Sequence, residues 1–346
     1  MRRFDWAMAI AGYWTIAGLY ADAGWHIRHD VDTFFTWSHA LLYSGLLLLV
    51  CLTGAKYLSA RRRGETRLQT AFGPAYYWSA IGLLIFLIGG IADMINHLFL
   101  GFEAGFDALL SPTHQIIGAG VLLIISGPIR SAIAQVPRPA TLAAQLPAVI
   151  SAAAILELMH WGTQVFFRID AARSLGVNVP HELGTNTITL MTIHFYQQGG
   201  SLIAVILQGL LMMGTAFYLV RNFRLRPGAL TILFVLGNGL IAVTHSLGWL
   251  DAASVLAASA AAGIAGDLFL SRAPALMSSR LGFGSFAFAI PVVYSGVLLL
   301  FVIAFMGGTW WDPLFAAGSV FYAGLFSLLL SFLVSWTDDS QQRSAL

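Results

Sequence analysis

Asp22-Ala-Gly-Trp-His26-Ile-Arg-His29-Asp30-Val-Asp32-Thr-Phe-Phe-Thr-Trp-Ser-His39 lies between two long apolar runs, near residues 6 to 25 and 35 to 58. Each run has the length, about 20 residues, that carries a helix across a hydrocarbon core. The stretch therefore reads as the turn of a transmembrane hairpin. Six imidazole or carboxylate side chains crowd into it: Asp22, His26, His29, Asp30, Asp32 and His39. Such groups are costly near hydrocarbon unless something pairs with them, and a metal ion would pair with several at once.

Composition agrees with that reading. The 346 residues are 58% hydrophobic and only 10% charged, with a mean hydropathy of +0.78, outside the range of soluble globular domains. Further apolar runs near 75 to 100, 112 to 135, 146 to 167, 186 to 220, 227 to 249, 252 to 271, 284 to 307 and 313 to 336 bring the expected number of spans to ten. The predicted fold is an all-α polytopic transmembrane helical bundle of five hairpins. The N-terminal run lacks a small-residue cleavage site and reads as a retained span. The single cysteine, Cys51, sits inside an apolar run, which excludes an intrachain disulfide framework and a thiolate metal cluster. The net charge of +2 comes from short basic clusters between apolar runs, a pattern that gives nucleic acid no surface to bind.

The basic residues orient the bundle. With both termini cytoplasmic, only Arg28, Arg168 and Arg173 of the 18 Lys and Arg residues fall in outer connections. On that topology all nine histidines fall in outer connections or outer halves of spans. The hairpins also resemble one another: Asp22-x3-His26 leading to Ser38-His39 is matched by Asp93-x3-His97 leading to Pro112-Thr-His114. Glu157, His160 and His194 give a weaker third set, and His245 alone stands in the fourth hairpin. Trp310, Trp311 and Asp312 at the last outer turn read as interfacial anchoring.

Asp22 and His26 are four apart and share a helical face, and a short connection returns His39 opposite them. A lone histidine or aspartate at a helix end is ordinarily solvated or capping; the set of two imidazoles and one carboxylate is what points to an ion. Copper, zinc and ferrous iron all accept such a set.

Asp22, Trp25, His26, Asp32, Thr33, Phe35, Thr36, Ser38 and His39 resemble the signature of the C subunit of copper membrane monooxygenases, the particulate methane and ammonia monooxygenases. The resemblance covers about residues 6 to 135. It implies that Asp22, His26 and His39 bind copper, with zinc or iron the lesser candidates, as the catalytic site of an oxidoreductase. Asp93, His97, Phe99, Glu103, Pro112 and His114 resemble the family's second motif, with an aspartate in place of its asparagine and a connection three residues longer. Asp93, His97 and His114 are thereby candidate ligands of a second ion. The family's C subunit works beside A and B subunits and is shorter, so such partners or a homo-oligomer are expected.

Residues 1–140 are thus expected to form the metal-binding hairpins and residues 141–346 additional helices of the same membrane domain. Glu157, His160 and His194, with Gln164, Gln197 and Gln198, read equally as an interhelical hydrogen-bond network. His29 and Asp30 are candidate partners orienting the ligands, and His181 in the longest outer loop reads as solvated. Two functions compete: a monooxygenase acting on a hydrocarbon or ammonia, and an outer-face copper or zinc binding and delivery protein. Full transport would need ligands continuing inward, where Asp267, with Arg272 nearby, is the lone intramembrane acid. A haem carrier would need a histidine pairing that the spans do not offer. The expected location is the inner (plasma) membrane of a bacterium or archaeon, sites facing outward.

Overall fold

The computed structural model describes residues 2–26, 37–101, 109–164, 187–244, 248–272, 277 and 279–344; the side chains of residues 2, 26, 187–194 and 335–344 lie outside the description. Helix accounts for 88%, with no strand among the described residues. The helices are α1 (Arg2–His26), α2 (Trp37–Arg62), α3 (Leu68–Leu100), α4 (Pro112–Ile125), α5 (Gly127–Ala134), α6 (Leu142–Gly162), α7 (Thr187–Asn222), α8 (Ala229–Gly237), α9 (Gly239–Thr244), α10 (Trp249–Arg272), α11 (Arg280–Phe305) and α12 (Pro313–Ser344). Among the described residues, eight helical stretches are long and apolar enough to cross a membrane. Of the ten expected spans, α1 and the α8–α9 pair fall outside that set. α1 carries Arg2, Arg3, Asp5 and Asp22, and 229–244 is short. The chain is a helical membrane bundle, and it divides into two compact units, Met1–Gly162 and Thr163–Leu346.

In the first unit α1 packs on α2 and α3 on α4, with α6 against α1 and α5. The two hairpins cross in the same register. A Cβ on Gly18 would lie 2.5 Å from Leu42 Cα, and one on Gly45 2.9 Å from Thr15 N. Shifting the chain so that Asp22 falls on Asp93 and His39 on His114 turns these positions into Gly89 with Ile117 and Gly120 with Phe86. There the same approach recurs: 3.1 Å from Gly89 to Ile117 N and 2.7 Å from Gly120 to Phe86 N. Only glycine lets two helix backbones come that close. The duplication is therefore a matter of packing as well as of motif.

Two breaks shape this unit. Gly73 takes φ 65° just before Pro74, where a helical residue is disfavoured, so the long part of α3 begins at the proline. At Ser126-Gly127-Pro128 the helix breaks again, and carbonyls freed in an apolar setting need donors. Side chains supply them. Arg130 donates to Leu123 O (2.8 Å), Ala75 O (2.9 Å), Ser79 Oγ (2.9 Å) and Ser126 Oγ (2.6 Å); Ser79 donates to Ile124 O and Ser151 to Ile125 O. At the end of α1 remote from Asp22, Tyr76 donates to the buried Asp5 carboxylate at 2.6 Å.

In the second unit α10 packs on α8 and α11, and α12 on α11 and α7. The 229–244 span is split at Asn238, whose Nδ2 returns to Phe234 O and whose Oδ1 receives Gln208 Nε2. Asp267 does not serve Arg272: its carboxylate accepts from Leu230 N, Thr231 N and Thr231 Oγ1, capping the first turn of α8 from a neighbouring helix. Asp312 caps α12 through Leu314 N and Phe315 N, and Trp311 packs with Val302 and Ala316.

Candidate metal centre

Both candidate sites lie where a hairpin turns. On α3, Asp93 and His97 stand one turn apart, and α4 opens with Pro112, Thr113 and His114. Proline at the first helical position costs no hydrogen bond and sets the entry of the chain, placing His114 in the first turn facing α3. His97 Nε2 lies 3.2 Å from Asp93 Oδ2, and His114 Nε2 lies 3.2 Å from Asp93 Oδ1. The imidazole rings stand 6.0 Å apart at 54°. One ligand atom from each of the three residues fits within 4.8 Å of the others. All three side chains are partly buried, at 17 to 25% exposure.

These distances fit an ion. A metal bound to imidazole nitrogen and carboxylate oxygen at about 2.0–2.2 Å spaces its tetrahedral ligands about 3.3–3.6 Å apart, close to the two His–Asp separations. The tautomer of His97 fits as well. Its Nδ1 lies 3.2 Å from the Gly101 carbonyl, which can only accept, so Nδ1 is the donor. In the neutral ring Nε2 is then a bare lone pair, and it faces a carboxylate that also only accepts. Two acceptors at that distance repel unless a cation, either a second proton or a metal ion, stands between them. A ring N–H fixed on a backbone carbonyl while the other nitrogen faces the site is the usual support of a ligating histidine.

Gly101 ends α3 with φ 83° and ψ −176°, a conformation that favours glycine, and its own N–H bonds back to His97 O. Sequence reading passed over it. The signal was present: a glycine four residues after a candidate histidine, closing an apolar run.

The first hairpin repeats the arrangement in part. His39 Nε2 lies 3.3 Å from Asp22 Oδ1, both side chains 14% exposed. Trp25 and Trp37 meet edge to face at 5.6 Å beside them, and Tyr43 stacks on His39 at 5.8 Å. His26 ends α1 one turn beyond Asp22, in the place of His97, but its side chain lies outside the described residues. So do His29, Asp30, Asp32, Thr33, Phe35, Thr36, Glu103, Asp107, His181 and His245. Of the third set, Glu157 and His160 are buried on α6 at 0% and 1% exposure, where the Glu157 carbonyl accepts from Tyr20 of α1 at 2.9 Å. The His194 side chain is outside the description. Tyr20, missed in the sequence, is visible only once α6 is laid on α1.

No family model, curated protein or solved structure matches this chain.

Proposed function

We propose that the chain is a copper-binding membrane protein that acts as the catalytic subunit of a membrane monooxygenase, oxidising a small hydrocarbon or ammonia. Asp93, His97 and His114 hold one ion, and Asp22, His26 and His39 the other. The observation that carries the reading is the His97 ring, pinned through Nδ1 to Gly101 with Nε2 aimed at Asp93 and beside His114. Copper would supply the dioxygen chemistry, which an all-nitrogen-and-oxygen set suits. The chain's own part is to fix three ligands in register through the glycine crossings. Monooxygenation places one oxygen atom in the substrate and reduces the other to water, so an external electron donor is required. A and B type subunits or further copies of this chain are the proposed partners. The arginine distribution supports an orientation with the sites on the outer face, and a bacterial or archaeal inner membrane is the proposed location.

The second reading is capture and delivery of copper or zinc without catalysis. It is favoured by the confinement of ligand geometry: among the described residues one group of three metal-type side chains comes together, at a hairpin turn and not along a path. Metal analysis of the purified chain tests the shared part. Copper near one or two ions per chain, lost at the second site in His97→Ala and His114→Ala, is expected; equal copper in wild type and variants overturns it. Oxygen consumption dependent on copper, reductant and a small alkane, alkene or ammonia then separates enzyme from carrier.

A further inference from the structure

Hydroxyl groups on the helices of this chain mostly bond to their own carbonyl one turn back, as Thr15 does to Ala11 O, Ser201 to Gln197 O, Thr215 to Leu211 O and Thr244 to Leu240 O. Others cross to a neighbouring helix, as Ser79 and Ser151 do to carbonyls and Thr231 to Asp267, and two of these crossings reach a candidate ligand. Thr113 Oγ1 donates to Asp93 Oδ1 at 2.6 Å, and Ser38 Oγ donates to Asp22 Oδ1 at 2.9 Å. Each stands immediately before the second histidine of its hairpin, and each reaches the oxygen that faces that histidine. Both sit in the first turn of a helix, where no helical carbonyl lies one turn back to compete.

The direction of these bonds is fixed. An ionised carboxylate only accepts, so the single Thr113 proton goes to Asp93. Ser111, whose Oγ lies 3.0 Å from Thr113 Oγ1, must then be the donor in that contact. The result is a directed chain, Ser111 to Thr113 to Asp93, with Ser111 buried. Thr36 stands in the first hairpin where Ser111 stands in the second, so both hairpins carry hydroxyls one and three residues before the histidine.

We propose that Thr113, and Ser38 in the first hairpin, are positioning residues that set the rotation of the ligating aspartate. By holding Oδ1 on the side of the second histidine, the hydroxyl leaves Oδ2 facing the first and closes the three-ligand set before an ion arrives. The chain thus enters the site with its carboxylate pre-oriented, and the ordering cost of binding falls. This rests on the metal-centre reading above and adds to it a residue that touches no ion.

The test uses the full chain in detergent, in a His39→Ala background so that the second site is read alone, with Cu(II) as the probe. Thr113→Val keeps the shape and removes the donor. It is expected to weaken Cu(II) binding about 10- to 100-fold against a competing chelator and to change the Cu(II) electron paramagnetic resonance spectrum. Thr113→Ser, which restores the hydroxyl, is expected to return both to the parent values. Thr113→Ala covers the case in which the valine methyl disturbs folding, with thermal unfolding of all variants as the control. Parent-like affinity and spectrum in Thr113→Val or in well-folded Thr113→Ala overturn the inference. So does a loss that serine fails to rescue. A parent chain that takes up neither Cu(II) nor Zn(II) overturns the metal-centre reading itself, and is seen before any Thr113 variant is compared.

Discussion

Gly101 shows how one residue without a side chain sets the ring of a candidate ligand. Its φ of 83° turns its carbonyl back to His97 Nδ1 at 3.2 Å, and an L-residue held there pays roughly 1–3 kcal/mol of strain. Gly101→Ala therefore relaxes the turn and withdraws the acceptor. The expected outcome is metal affinity reduced several-fold with modest loss of thermal stability, because the residue ends a helix and has open space around it. Isothermal titration with Zn(II) beside a thermal melt checks both halves. Legibility at this scale is divided. Asp93, His97 and His114 could be read from spacing, since a helix turn brings i and i+4 together. Ser111 and Thr113 could not, because their roles depend on where a hydroxyl points; Gly101 is marked by its place four residues after His97, but the direction of its carbonyl is not. The ligand roles of His26 and His194 rest on side chains outside the described residues.

At the scale of elements, helix pairing is set by a few glycines whose importance a hydropathy profile does not reveal. Gly18 and Gly24 are both helical and both in α1, but a Cβ at Gly18 would press 2.5 Å from the Leu42 backbone while one at Gly24 meets nothing within 4 Å. Gly18→Ala must push α2 away from α1. The expected cost is about 1–3 kcal/mol, with weaker metal binding at the first site because Asp22 and His39 belong to the two helices being separated. Gly24→Ala, nearer the ligands in sequence, is expected to leave stability and binding within error. Chemical unfolding of the two variants side by side checks this. The same scale explains two departures from sequence reading. Arg130 reads in the sequence only as a topology marker, yet its guanidinium reaches Leu123 O beside the Ser126 break and Ala75 O on α3. Asp267 lies near Arg272 in sequence, but a helix N-terminus on the neighbouring α8 offers it aligned N–H donors, the stronger partner in an apolar setting. Neither pairing was legible, because Ala75 and Ser79 lie more than 50 residues from Arg130, and Leu230 and Thr231 more than 30 from Asp267.

At the scale of the whole molecule, the first unit uses one hairpin twice and packs α6 beside it. The equivalence of Asp22 with Asp93, His39 with His114, Ser38 with Thr113, Gly18 with Gly89 and Gly45 with Gly120 extends from candidate ligands through hydroxyls to backbone crossings. The helical membrane class was legible from apolar run length alone, whereas the shared register had to await the packing, since small residues at crossings look like any others in an apolar run. Duplicated sites on separate hairpins share no ligand, and their carboxylates are each oriented by their own hydroxyl. They are therefore expected to fill independently. Wild type should hold two copper ions per chain under saturating conditions, His39→Ala one, His114→Ala one, and the double variant none, each single variant retaining the wild-type affinity at its surviving site. Elemental analysis after dialysis, with chelator competition for affinity, reads this directly. Loss of both ions on removing either histidine would instead mean one shared centre, and the two hairpins would have to be understood as halves of a single site.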